Sequence, residues 1–322
     1  MKKIYTLLVI VTLASLTSCY EDYIKDFDYN TVYFTQQTNV RTFVVGEGMQ
    51  INVGVALGGI RENNIDRDVN FMLDNGLLTE ELLARMAGGV DHIKNYVNLD
   101  SGLHPLPAAY YTLSNTGKMI IKKGDHKGVI TIKADSVKFL SDPKTLIAQY
   151  AIPFYITDAQ VDTVLNDKRY SVIGLRYENM LFGNYWHGGV TEVKDASGNI
   201  VETIKYYTTV PSPETKVMKL QTVAPHTLIT NRISDQSGSF EITLNGDNII
   251  VGKADGSTVE VLPDGESKFN RAKLLQDRKI YLKYKYDNGD GTTSHATDTL
   301  TFRNRIRDGV NEWQDENPDN YK

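Results

Sequence analysis

Cysteine is almost absent from this chain: Cys19 is the only one among 322 residues. No disulfide can form within the protein, and no thiol beyond Cys19 could serve as a nucleophile. Tryptophan is nearly as scarce, with 2 residues against 19 tyrosines. The six histidines, at positions 92, 104, 126, 187, 226 and 295, form no His-Glu-x-x-His pair, so the ligand spacing of a zinc hydrolase is missing. There is no Gly-x-Ser-x-Gly nucleophile elbow either. A basic excess is also lacking, and a formal charge of -5 argues against nucleic acid, which attracts basic patches. No second long apolar run follows Cys19, and neither an internal repeat nor a low-complexity segment occurs. The expectation is a protein that is not an enzyme, needs no cofactor or metal, and has no membrane-spanning segment in its body.

What is present begins at the amino terminus. Lys2 and Lys3 precede an apolar stretch over residues 4–16 that is too short to cross a bilayer stably, and Leu16-Thr17-Ser18-Cys19 follows. That ending resembles the bacterial lipobox, which implies cleavage before Cys19 and acylation of Cys19. Several buried acyl chains, each methylene contributing about 0.8 kcal/mol, would anchor the protein where a single chain would not. Residues 1–18 are expected to be the signal peptide and residues 19–30 the lipid anchor and linker. Glu21, Asp22 and Asp26 lie in that linker as part of a solvated tether. Acidic residues in this place also resemble the signal that sends Bacteroidetes lipoproteins to the outer face of the outer membrane. The expected location is the outer membrane, lipid-anchored and facing the cell exterior.

Hydrophobic content of 41% and charged content of 23% provide core for about two domains. Over residues 31–178 short β runs alternate with turns. In the run 49–57, Ile51, Val53, Val55 and Leu57 fall on one face of a strand. Further strands are expected at 32–34, 42–45, 68–73, 110–113, 119–122, 128–133, 147–157 and 170–177. One helix interrupts them: Thr79 serves as N-cap, Glu80 and Glu81 favour the first turn, and Gly88-Gly89 ends it, with Leu78, Leu82, Leu83 and Met86 as its buried stripe. Many short strands with one peripheral helix predict an immunoglobulin-like β-sandwich. Lys122-Lys123-Gly124, then Val129, Thr131 and Lys133, and the run 150–156 carry a resemblance. They resemble the immunoglobulin-like domain of unknown function (DUF1735-like) near the amino terminus of Bacteroidetes surface lipoproteins, over roughly residues 30–178.

A second domain is expected over 179–322. It opens with the aromatic-glycine run Leu181-Phe182-Gly183-Asn184-Tyr185-Trp186-His187-Gly188-Gly189, and hairpin signals follow at Asp195-Ala196-Ser197-Gly198, Asn245-Gly246-Asp247, Asp255-Gly256 and Asn288-Gly289-Asp290-Gly291. The strands so flanked are 190–194 with 199–208, 240–244 with 248–253, 258–262, and 279–286 with 292–302. The acidic loop at 287–291 sits between strands rather than helices, which favours a hairpin over a calcium loop. The fold class is therefore all-β: the sandwich, then a small antiparallel β-barrel of lipocalin type closed at one end by Trp186, or a second sandwich. This half resembles the companion domain (DUF4361-like) of the same lipoproteins, including its final strand and the tail around Trp313. The pair implies a protein of the polysaccharide-utilisation type.

Sugar rings stack on aromatic faces while polar groups reach their hydroxyls. The candidate glycan-binding residues are Tyr185, Trp186, His187, Tyr206, Tyr207, Tyr284, Tyr286 and Trp313. Tyr284 and Tyr286 share one face of a strand whose other face carries Lys283 and Lys285. The expected function is a non-catalytic surface glycan-binding lipoprotein, partnered by a glycan, by the membrane through Cys19, and by an outer-membrane transporter with its glycan-capturing lipoproteins. The alternatives are an adhesive or structural lipoprotein that binds other proteins, or a carrier of an apolar ligand inside the barrel. An exposed line of aromatics favours the first, an open sheet edge the second, and a lined cavity the third.

Overall fold

The computed structural model describes residues 27, 29–206 and 216–315. Cys19, the signal segment, most of the linker and Tyr207 lie outside them. The chain is nearly all-β, with 52% strand and 12% helix.

Eight strands dominate the first half: β1 (Thr31–Tyr33), β2 (Thr38–Val45), β3 (Gln50–Gly58), β4 (Arg67–Leu73), β5 (Lys118–Ile121), β6 (Lys127–Ala134), β7 (Tyr150–Ala159) and β8 (Tyr170–Asn179). Their hydrogen-bonded order is β1-β3-β6-β5-β4-β7-β8-β2, and three short strands complete an eleven-stranded sheet folded into a sandwich. Alternation explains the folding: in β3, Ile51, Val53, Val55 and Leu57 are buried while Gln50 and Asn52 are exposed. Phe34, Phe43, Phe71, Phe139 and Phe154 fill the core between the layers.

Helix α1 (Glu80–Ala87) starts where expected, Thr79 Oγ1 accepting from Leu82 N at 3.2 Å. Leu82, Leu83 and Met86 cover Val40, Ala151 and Val172 on the outer side of the layer formed by β2, β7 and β8. That cover accounts for β2 starting at Thr38, four residues before the expected strand. Its first half is apolar toward the helix and its second half toward the sandwich core.

The second half contributes β9 (Gly183–Lys194), β10 (Ile200–Tyr206), β11 (Lys216–Ala224), β12 (Thr227–Thr230), β13 (Phe240–Asn245), β14 (Asn248–Lys253), β15 (Lys268–Phe269), β16 (Lys279–Asp287), β17 (Thr293–Arg307) and β18 (Val310–Glu312). Strands β11 and β12 were not anticipated, although Met218, Leu220 and Thr222 alternate inward. The strand expected at 258–262 is the shorter Val261–Pro263. Strand β9 pairs antiparallel with β11 on one side and with β17 on the other, so the sheet curls until the order β9-β11-β12-β13-β14-β15-β16-β17 returns to its start. The stitch between β14 and β15 is one register pair, Asn248 with Lys268. This is a curled half-barrel whose ends meet. Its interior is filled by Tyr185, Met218, Phe240, Leu282, Tyr284 and Leu300 among others, each completely buried. A packed interior removes the observation that a carrier reading requires.

The two halves are joined by charge as well as by chain. Glu47, in the turn after β2, accepts from Arg278 Nη2 at 2.8 Å and Arg305 Nη2 at 3.2 Å. Arg278 Nη1 also donates to Met180 O at 2.7 Å, in the segment between β8 and β9. Burial raises the pKa of the Glu47 carboxyl, but Arg305 and Arg278 outweigh burial and hold it below its ordinary value.

Candidate functional site

Strand alternation sorts the expected aromatics. Tyr185 points into the barrel, 0% exposed, and its hydroxyl donates to Leu181 O at 2.9 Å. Tyr284 and Tyr286 point the same way, leaving the outer face of β16 to Lys279, Tyr281, Lys283 and Lys285. Tyr206 is enclosed beside them. These four tyrosines offer no stacking face, which corrects the expectation for each. Their phenol bodies belong to the core, and the hydroxyls of Tyr185, Tyr206 and Tyr284 find partners inside it.

The inner hydroxyls converge on Asp298. Tyr284 donates to Oδ2 at 2.7 Å, His187 Nε2 lies 2.8 Å from the same oxygen, and Tyr206 donates to Oδ1. Ser234 N donates to the Tyr284 hydroxyl at 2.6 Å, and Thr191 Oγ1 links Ser234 Oγ at 2.5 Å to the Tyr206 hydroxyl at 3.2 Å. Burial first, then the Asp298 charge, raises the pKa of both Tyr206 and Tyr284. The cluster depends on Gly189, where a Cβ would lie 2.4 Å from Thr297 O and 2.6 Å from Asp298 Oδ1. His187 and Asp298 are closed off from solvent and pair with each other inside the barrel, while the other ring nitrogen, His187 Nδ1, is buried without a partner among the described residues. His187 is accordingly no surface candidate.

The two tryptophans behave differently. Trp186, one residue on from Tyr185, points outward, half-buried, with the Arg303 guanidinium 4.6 Å above its ring. It does not close the barrel end, because alternation assigns the inner position to Tyr185. Trp313 is 57% exposed, just beyond β18.

Around Trp186 three strands lie side by side. Trp186 is in register with Thr301, and Thr301 with Lys279; the next row is Gly188, Thr299 and Tyr281. Tyr281 is therefore the outward aromatic of β16, two strands and one row from Trp186, roughly 12 Å away at the usual strand spacing and rise. Gly188 places no side chain beside Trp186, and Thr299 and Thr301, both half-buried, lie between Trp186 and Tyr281. On the far side of Trp186 runs an amide ladder: Asn184 Nδ2 donates to Asn304 Oδ1 at 3.3 Å, and Asn304 Nδ2 to Asn311 Oδ1 at 2.7 Å. The face thus combines two aromatics with hydroxyls, amides, the Arg303 guanidinium and the Lys279 ammonium. Among the described residues no group of three or more His, Cys, Asp or Glu is placed to hold a metal ion.

Similarity to known proteins covers the same ground. Residues 27–163 match a domain family described as "-like, N-terminal domain". A crystal structure from Bacteroides ovatus, described as structural genomics of unknown function, is similar over 90% of this chain and 99% of its own, with a TM-score of 0.63 and 20% identity. A second such protein of unknown function and a multidomain protein including DUF1735, both from Bacteroides ovatus, give TM-scores of 0.43 and 0.42 at 11% identity, each over 89% of this chain and 100% of its own. No curated protein matches the chain. The first of these neighbours shares the fold across both halves, and the similarity extends to fold alone.

Sequence reasoning missed Tyr281, Arg303, Asn304 and the two threonines. The signal was there for the threonines: Thr297, Thr299 and Thr301 alternate with Asp298 and Leu300, the pattern of a strand with a hydroxyl face. Tyr281 was passed over because Tyr284 and Tyr286 formed the more conspicuous pair.

Proposed function

We propose that this protein is a non-catalytic glycan-binding lipoprotein, and that glycan is captured on the outer face of β9, β17 and β16. The observation that carries this reading is the placement of Trp186 and Tyr281 on one outward face, with Thr299 and Thr301 between them and Gly188 and Lys279 at the other two corners. A pyranose has an apolar C–H face for the indole and hydroxyls for the threonines and amides, so one surface can meet both. The first module would then act as a spacer above the lipid on Cys19, and the outer-membrane location, the transporter and the neighbouring lipoproteins belong to the same proposal.

The test is affinity electrophoresis of residues 20–322 through gels containing host or plant polysaccharides, beside Trp186→Ala and Tyr281→Ala. Retardation by one glycan class that is lost in both folded variants supports the reading. Retardation unchanged in both variants removes this face from it.

The adhesive alternative has one specific support. Among the described residues strand β10 pairs with β9 alone, and Ile200 and Val201 on it are 52% and 56% exposed. An open strand edge with apolar side chains is a docking template for another chain. Ile200→Lys with Val201→Lys would abolish pull-down of surface proteins from the same cell if that contact exists.

A further inference from the structure

We infer that the groove where the two halves meet is a second binding site, for a neutral, hydroxyl-rich chain, built by residues of both. It deepens the glycan reading by adding another contact for the same ligand class, on residues separate from the Trp186 face.

The groove has a volume of about 650 Å³ and lies between the outer edges of β2 and β3, with the β17–β18 hairpin forming its end wall. Its lining chemistry is distinctive. Four amide side chains face it, those of Gln36, Asn39, Gln50 and Asn52, and three of these four residues are exposed. Charges are present but mutually neutralised: Arg41 Nε meets Asp308 Oδ2 at 2.8 Å, and Arg307 Nη2 meets Glu312 Oε1 at 2.5 Å. No surplus charge is left for an ionic ligand. Val310 is the exposed apolar residue in the wall, so a lipid finds little to cover.

A peptide strand is disfavoured by how the edges are capped. Strand β2 turns alternate N–H groups away from β8, and side chains already occupy them: Val40 N donates to Asn39 Oδ1 at 2.8 Å and Thr42 N to Asp308 Oδ2 at 3.4 Å. Across the groove Arg41 Nη1 takes Asn52 O of β3 at 3.2 Å. With Val40 N, Thr42 N and Asn52 O engaged, a docking strand would lose those rungs of the main-chain ladder that gives strand addition its affinity. Of the side-chain amides Asn39 is spent, its Oδ1 on Val40 N and its Nδ2 on Gln36 Oε1, and Asn52 Oδ1 accepts from Thr131 Oγ1 at 2.9 Å, so the groove offers a ligand the amide hydrogens of Gln36 and Asn52 and both ends of Gln50. One acceptor in the wall is also unused, since Asp308 Oδ1 is buried and meets no side-chain or backbone donor.

Asp308 comes from the second half, in the left-handed position of an Asp308-Gly309 turn with φ of 52° and 82°. The end wall therefore exists only when the hairpin is docked on β2. The site is a property of the joined protein.

The experiment uses full-length protein in detergent and, as probes, maltohexaose, xylohexaose and mannohexaose, with a Thr-Val alternating hexapeptide alongside. Saturation-transfer NMR is recorded first in the Trp186→Ala/Tyr281→Ala background, which silences the outer face. The proposal expects a response to at least one hexasaccharide there and none to the peptide, with affinity about tenfold weaker once Gln36→Ala and Gln50→Ala are added, the loss of about two hydrogen bonds. Both glutamines are exposed, so their removal leaves the fold intact, which the thermal melt checks. Silence toward all three sugars, an unchanged affinity in the glutamine variant, or a response to the peptide alone would each overturn it. Full binding retained by the Trp186→Ala/Tyr281→Ala protein but lost on adding the glutamine changes would sink the outer-face reading and leave the groove standing.

Discussion

Glu47 and Arg305 meet at 3.2 Å across the junction of the two halves, with side-chain exposures of 12% and 2%. The carboxylate comes from a turn of the first module and the guanidinium from a strand of the second, and Arg278 adds a second buried cation at 2.8 Å. Truncating Glu47 leaves buried Arg278 without a carboxylate, while Arg305 keeps Glu312 at 2.5 Å, so Glu47→Ala should cost about 3 kcal/mol in urea unfolding. A loss under 1 kcal/mol would mean that solvent reaches Arg278 and that Glu312 suffices for Arg305.

The same pair predicts a pH dependence. The folded Glu47 carboxyl titrates below its ordinary value, about 4.3 in an unfolded chain. Its contribution is therefore fully present above that ordinary value and is lost as the pH falls through the lower folded one. Melting temperature should fall on acidification below about pH 4, and Glu47→Gln, less stable at neutral pH, should converge on the parent there. Parallel curves down to pH 2 would assign the acid sensitivity to other carboxylates.

Asp298 holds three donors inside the barrel, from His187, Tyr206 and Tyr284. Asp298→Ala strands His187 and Tyr284 and leaves Tyr206 only Thr191, and should destabilise by roughly 3–5 kcal/mol. Tyr284→Phe removes one of them and should cost about 1–3 kcal/mol while leaving any glycan retardation unchanged, because its ring faces inward. Retardation lost in a folded Tyr284→Phe protein would return the inner cluster to the binding site.

Gly189→Ala tests the same cluster through the backbone. A methyl there would collide with Thr297 O and Asp298 Oδ1, neither of which lies on a flexible end. The expected loss is about 1–3 kcal/mol, read as a lower urea midpoint with an unchanged m-value. Gly198→Ala makes a control of another kind: nothing lies within 4 Å of its Cβ, so its cost comes only from a φ of 83°.

Cys19 is tested by metabolic labelling with palmitate in a lipoprotein-processing host. The parent should incorporate label and fractionate with membranes, and Cys19→Ala should do neither. Label retained without Cys19 would reject the lipobox reading.

The alternation of Ile51 with Asn52, the Thr79 cap and the glycine turns at 246 and 289 are local, and each could be read before any coordinates, because strand, helix and turn are decided by neighbours a few residues apart. The all-β class followed from them. Which side of a strand becomes the interior is not local. Tyr284 and Tyr286 share a face with each other in any strand, but that face is inside only because β9 pairs with β17, more than 100 residues on, and curls the sheet shut. The same closure turned Trp186 outward, set it across Thr301 and Thr299 from Tyr281, and drew Arg278 and Arg305 toward Glu47. Periodicity determined that this chain would be built of two-faced strands. Long-range register, which a side-chain pattern of period two does not encode, decided which face meets water and therefore which aromatics can meet a ligand.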